Sequence, residues 1–282
     1  MSKVAIITDS TSYIPEHIRG DKDIVMIPLN VIFENETYKE EAEIKADDFY
    51  EMVGRNDTLP KTSQPAIGEL VELLEELSTD YDEAVMITLS SGISGTYQSA
   101  VAAGEMVDGI KLHVFDSEIS CAPQGFYTMK AAGLANQGKN GFEIMNELLE
   151  MKNKGIPAYF VVDDLNHLHR GGRLNTAQLF IGNLLQIKPI LHFDDKKIVP
   201  FEKIRTKKKA LKRIFDIMDE NIRQDEKVTI SVIHAKREDE AVEIAEELRE
   251  NFVNANVSIS YFGPVIGTHL GEGSLGITWM KE

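Results

Sequence analysis

An α/β protein in two parts is predicted by three observations. Over the first 155 residues, short apolar runs alternate with helical stretches, and the runs end in hydroxyl or carboxylate residues. After Lys154-Gly155-Ile156-Pro157 the pattern shifts to hairpin-like strands and long charged helices. The 282 residues, 43% of them hydrophobic, suffice to bury two cores. The expectation is an N-terminal Rossmann-like parallel-sheet domain over 1–155, with a β-hairpin insertion near 30–42. A C-terminal α+β layered sandwich over 156–282 follows it.

The elements follow in order. KVAIIT (3–8) reads as a buried parallel strand, and Asp9-Ser10-Thr11-Ser12 supplies capping residues behind it. IVMIPL (24–29) is a second strand, and Glu34-Asn35-Glu36 separates the two arms of a hairpin. Residues 46–54 and 66–78 carry apolar residues at helical spacing. The second is introduced by Thr62-Ser63-Gln64-Pro65, a capping residue and then a proline suited to a first turn. EAVMITL (83–89) is a strand running into SSGISGT, with a helix to about Val107. KLHVFDS (111–117) repeats the opening pattern, and helices over 122–137 and 141–153 complete the alternation. In such sheets ligands gather at the carboxyl ends of strands, where Thr8, Asp9, Ser10, Ser90, Ser91, Asp116 and Ser117 fall.

In the second half AYFVVDDL is a strand and HLHRGGRLN a polar turn. ILHFDDKKIVPF gives two strands around Asp194-Asp195, and KKKALKRIFDIMDENI is a helix. VTISVIH is a strand, EDEAVEIAEELRENF an acidic helix, and VSISYF, a glycine-rich loop and LGITWM close the chain. With no proline- or serine-rich linker between the halves, a packed interdomain cleft is expected.

Composition narrows the function. A formal net charge of −16 argues against nucleic acid as a partner. The exception is Lys203 to Arg213, which holds seven basic residues and no acidic one. That run is either a solvated helix face or a docking patch for an anionic partner. No stretch approaches the ~18 consecutive apolar residues of a spanning helix, and the start lacks a secretory signal pattern. Cys121, the single cysteine, reads as a small buried side chain at a helix start. A reducing, cytoplasmic setting is the expectation.

Four constellations carry chemistry. In Ser90–Thr96, Gly92 and Gly95 let backbone approach a ligand, while Ser91, Ser94 and Thr96 offer hydroxyls beside unpaired helix N–H groups. Capping needs one of these residues, so three hydroxyls and two glycines favour an anion site. Thr62-Ser63 has the same character, although alone it reads as a cap. His269 stands between closely spaced glycines in PVIGTHLGEG, where a strand or helix has little room, and it is expected to face a ligand. His167, His169, Arg170 and Arg173 lack the carboxylate or cysteine neighbours of a metal site, and read as a basic loop. No metal or cofactor is expected, and the glycine spacing matches no nucleotide-binding fingerprint.

Taken together these segments resemble the DegV family across essentially the whole chain. The resemblance rests on TDS (Thr8–Ser10), TSQP (Thr62–Pro65), SSGISGTYQSA (Ser90–Ala100) and FDS (Phe115–Ser117). In the second half it rests on HRGGRL (His169–Leu174), KPIL (Lys188–Leu191) and GPVIGTHLGEG (Gly263–Gly273). Ala66 departs from the serine that often follows TSQP in the family. The resemblance implies a non-enzymatic carrier that binds a long-chain fatty acid such as hexadecanoate by its carboxylate. Thr62 and Ser94 would hydrogen-bond the head, His269 would close the site from the second domain, and the tail would enter a tunnel in the first. Ser63, Ser91, Gly95 and Thr96 are secondary candidates. The resemblance further implies a separate ATP-binding fatty acid kinase that phosphorylates the bound acid for phospholipid synthesis, with Arg173 and Arg205 on the partner-facing side.

Two other readings stay open. A serine hydrolase would use Ser94 and His269 with Asp116 or Asp164, although Thr96 replaces the last glycine of G-x-S-x-G. A binder of a small phosphorylated or carbonyl metabolite is implied by the likeness of the first domain to the substrate domain of dihydroxyacetone kinases.

Overall fold

In a computed structural model of the protein, which describes residues 3–56, 58–174 and 188–282, the first apolar run forms β1 (Val4–Asp9), buried along its whole length. β2 (Ile24–Ile27), β6 (Glu83–Thr88) and β7 (Lys111–Asp116) join it in a four-stranded parallel sheet of order β2-β1-β6-β7. The hairpin is β3 (Asn30–Phe33) and β4 (Glu36–Lys39), turned at Glu34 with φ 49°. β5 (Lys61–Ser63) adds a third strand beside β3. The short α1 (Glu16–Asp21) precedes β2. α3 (Ile67–Leu77) and α4 (Thr96–Gly104) pack Leu70, Leu74, Ala100 and Ala103 against Ile7, Ala84 and Met86. α5 (Ala122–Asn136) and α6 (Gly141–Lys154) follow β7, and Asn140 caps α6 by accepting from Glu143 N at 3.0 Å.

The chain divides into two units, Met1–Glu43 with Thr62–Gly155, and Ile44–Lys61 with Ile156–Glu282. The first is therefore not the contiguous 1–155 of the sequence reading, because α2 (Ala46–Arg55) belongs with the second half. Tyr50, buried on α2, donates its hydroxyl to Phe262 O at 2.7 Å, and a long-range contact of this kind leaves no local mark in the sequence.

The second unit holds a six-stranded sheet of order β10-β9-β8-β13-β11-β12. Its strands are β8 (Ala158–Val161), β9 (Ile190–Asp194), β10 (Lys197–Glu202), β11 (Val228–His234), β12 (Ala255–Tyr261) and β13 (Leu275–Lys281). Alternate residues Ile230, Val232, Ile277 and Trp279 face a core shared with Ile214 and Met218 of α8 (Lys207–Asn221) and Leu248 of α9 (Glu238–Asn251). Thr206 caps α8 by accepting from Lys209 N at 3.3 Å. Three local expectations are corrected here. β11 and β12 are parallel through α9, so β9–β10 is the one hairpin of this sheet among the described residues. The polar turn HLHRGGRLN is in its first part helix α7 (Leu165–Arg170), capped by Asp164, which accepts from Asn166 N at 2.9 Å; Asn175 lies outside the described residues. The glycine-rich loop around His269 is helix α10 (Pro264–Leu270), started by a proline in its first turn and ended at Gly271 with φ 78°.

Asp9 closes the carboxyl end of β1. Wholly buried, it accepts from Leu89 N at 2.7 Å and Thr11 N at 3.0 Å, with Thr11 Oγ1 2.6 Å away. Burial raises its pKa even though Thr11, Gln124 and Leu89 hydrogen-bond it. Removal of the side chain leaves two buried N–H groups unpaired, so Asp9→Ala is expected to lower stability by about 2–4 kcal/mol. Urea denaturation checks this; a change under about 0.5 kcal/mol would place the strand ends under other control.

Candidate functional site

Where β6 ends, Asp9 fixes Leu89, and the chain then makes a single turn. Ser90 O accepts from Ile93 N at 3.1 Å and Ser94 N at 3.2 Å. Ser90 N donates to Ile119 O at 2.7 Å, which ties this turn to the one after β7. The turn delivers Ser94 to the start of α4. There its Oγ accepts from Thr96 N at 3.3 Å and lies 2.9 Å from Thr96 Oγ1. Ser94 is partly exposed, and α4 directs its unpaired N–H groups and positive dipole end toward the same spot.

Thr62 and Ser63 occupy β5, so the expected capping role is corrected: α3 starts at Ile67 behind Ala66, which has no side-chain oxygen. Glu69 accepts from Ala66 N at 3.2 Å instead, and Pro65 precedes the helix rather than entering its first turn. Asn30 Nδ2 donates to Ser63 Oγ at 3.3 Å and Gln64 O at 3.4 Å. Gln64 then reaches α4, where Nε2 donates to Ser99 Oγ at 2.9 Å. Its amide lies over Gly95, and a Cβ there would come within 2.4 Å of Oε1. Gln64, directly after β5, is thus a neighbour of Gly95 and Ser99 at the start of α4, within one unit.

The secondary candidates divide. Ser91 is committed to Asp116, its N–H 3.1 Å from Oδ1 and its hydroxyl bonded to Oδ2. Gly95 is covered by Gln64, and the wholly buried Thr96 shares its hydroxyl with Ser94. These bonds also engage the carboxylates that a hydrolytic triad would draw upon, Asp116 through Ser91 and Asp164 through the cap of α7. Cys121 is buried and caps α5 with φ 63°, and burial pushes its thiol well above the usual range. A thiolate is therefore inaccessible at neutral pH.

In the second unit His269 sits in the last turn of α10, against α7. A Cβ on Gly171 would stand 2.3 Å from His269 Nδ1, so only glycine admits the ring there. Burial first, then the neighbouring Arg173 and His167, pushes the His269 imidazole down to about 3. Arg173 is half-buried, which lowers its own pKa, and its Nη1 donates to Gly171 O. Arg205 is exposed, two residues ahead of α8. In the basic run Lys207 is held by Glu240 Oε2 and Gly273 O, both at 2.9 Å, and Arg213 by Glu202 and Glu220, both at 3.0 Å. Gln64 and Gly171 carry no role of their own in the sequence reading, and His167 appears there only as part of a basic loop. Gln64 lies inside TSQP, and His167 and Gly171 beside or within HRGGRL, but a motif does not show which partner each meets.

A family model described as "Uncharacterised protein, DegV family" matches residues 3–282. The chain belongs to the DegV family. It is 57% identical over 277 residues to Protein DegV of Bacillus subtilis, covering 98% of each chain. The crystal structure of DegV, a fatty acid binding protein from Bacillus subtilis, superposes with a TM-score of 0.96 at 55% identity over 100% of both chains. A fatty acid binding DegV family protein from Streptococcus agalactiae gives 0.91 at 36%, again over 100% of both chains. The DegV fold therefore agrees with the predicted class, a parallel-sheet α/β part and a separate mixed-sheet part. Among the described residues no helix is long and apolar enough to cross a membrane.

An unfolded histidine titrates near 6.5. With the folded value at about 3, the unfolded chain binds more protons between these limits. The His269 contribution to stability is present above pH ~6.5 and is lost as pH falls toward 3. NMR of the ligand-free protein is expected to show His269 neutral at pH 5. A midpoint near 6.5 would contradict the enclosure described.

Proposed function

We propose that this chain binds a long-chain fatty acid, with Thr62 and Ser94 taking the carboxylate. The observation that carries this reading is the reach of Gln64, the residue after the hydroxyl-bearing β5, to Ser99 of α4 and over Gly95 beside Ser94, in a chain 55% identical to a fatty acid binding protein. The chemistry supports it. Each buried methylene contributes about 0.8 kcal/mol, so about a dozen supply an upper value near 10 kcal/mol, enough for micromolar binding after association costs. The head then requires orientation and satisfied acceptors. Neutral hydroxyls and helix N–H groups provide these.

The finer reading is a carrier rather than an enzyme. The bound acid is presented to a separate ATP-dependent kinase, which phosphorylates the carboxyl, with Arg173 and Arg205 facing that partner. The exposure of Arg205 beside the lysines of α8 supports this role, since a cluster of surface cations steers an acidic or phosphorylated partner.

Organic extraction of the purified protein followed by mass spectrometry is expected to yield long-chain fatty acid. Thr62→Ala and Ser94→Ala are each expected to weaken hexadecanoate binding by about ten-fold, with unfolding midpoints nearly unchanged. Charge reversal at Arg205 is expected to slow kinase-dependent turnover and leave affinity intact. Unchanged affinity in both alanine variants would refute the head-group site, and unchanged turnover would refute the partner-facing assignment.

A further inference from the structure

We propose that Gln64 is a positioning residue for the carboxylate site, clamping the strand that bears Thr62 onto the helix start that bears Ser94. The proposal rests on the fatty-acid reading and adds a residue to it.

Gln64 is held at both ends. Its main-chain carbonyl and the adjoining Ser63 hydroxyl meet the same Asn30 Nδ2, at 3.4 and 3.3 Å, which fastens this segment to β3. Its side chain crosses to α4, where Nε2 donates to Ser99 Oγ at 2.9 Å, one turn from Ser94. The amide rests on Gly95, whose absent Cβ would lie 2.4 Å from Oε1 and 2.9 Å from both Cδ and Nε2. Gly95 has φ −83° and ψ 4°, a conformation open to any residue. Backbone geometry therefore does not require glycine at 95, whereas the amide above it does.

The clamp stands apart from the core. Gln64 is exposed, and loss of a surface side chain of this kind costs folding little. A methyl group at 95 meets only the end of a flexible side chain, so Gly95→Ala swings the amide aside without unfolding the protein. Gln64→Ala and Gly95→Ala thus break one contact from its two sides. Two hydroxyls that must meet the same small anion lose their mutual registration in either case, and misplacement by a fraction of an ångström weakens a hydrogen bond steeply.

The test measures affinity for hexadecanoate, and for hexadecanol as a probe with the same tail and no carboxylate. The proteins are wild type, Gln64→Ala, Gly95→Ala, the double variant and Thr62→Ala. Each single variant at the clamp is expected to bind hexadecanoate about five-fold more weakly, the double variant no more weakly than either, and all to bind hexadecanol as wild type does. Additive losses would mean that Gly95 meets the ligand on its own account and would overturn the proposal. A matching loss for hexadecanol would show a general structural role and overturn it too. If Thr62→Ala weakens hexadecanoate binding while Gln64→Ala does not, the clamp fails and the fatty-acid reading stands. If wild type binds no hexadecanoate, both fail.

Discussion

A carboxylate sealed from water holds the carboxyl ends of β1 and β6 together, and the candidate site in the first unit is built outward from it. Asp9 accepts from the N–H of Leu89 and of Thr11, so the chain leaving β6 has a single exit direction. That exit leads into the turn at Ser90, and the turn brings Ser94 to a position two residues ahead of α4. A buried carboxylate is costly unless hydrogen bonds satisfy it, and here it is surrounded by donors, which makes the arrangement rigid. The same end of the sheet holds a second sealed acid. Glu40, wholly buried, takes the hydroxyls of Ser10 and Tyr13, while Ser10 Oγ accepts from Leu29 N at 3.0 Å, which anchors the hairpin to the strand ends. The strand ends are thus a polar layer whose members are mostly committed to one another. Ser94, at its edge, is partly exposed.

This ordering separates residues that build a site from residues that use it. Ser91 and Asp116 satisfy each other, and the hydroxyls of Ser10 and Thr11 are engaged within the polar layer. In the second unit His269 is held neutral chiefly by its burial.

Most of the fold was legible because its signals are local. Apolar runs became the parallel strands, and the hairpin turns where Glu34 adopts positive φ. What was missed has two causes. Glycine and histidine density around His269 hid a seven-residue helix, although Pro264 in its first turn and Gly271 just past its end are the usual start and stop signals. Asp164 with Leu165 and Leu168 signalled α7 in the same manner, and both leucines are buried. The rest had no local signal. Thr62 lies on a strand because β3 is there to pair with it, and α2 groups with the second half through packing such as Tyr50 on Phe262. The candidate residues were named from the sequence, while the contacts that orient them, Gln64 on Gly95 and His269 on Gly171, emerged only with the backbone in place.

The measurement that bears most directly on this account is a crystal structure of the protein with hexadecanoate bound. The account predicts carboxylate oxygens within about 3.2 Å of Thr62 Oγ1 and of Ser94 Oγ, with the acyl chain shielded from solvent. A carboxylate bound away from both hydroxyls, or an acyl chain lying on the protein surface, would contradict it.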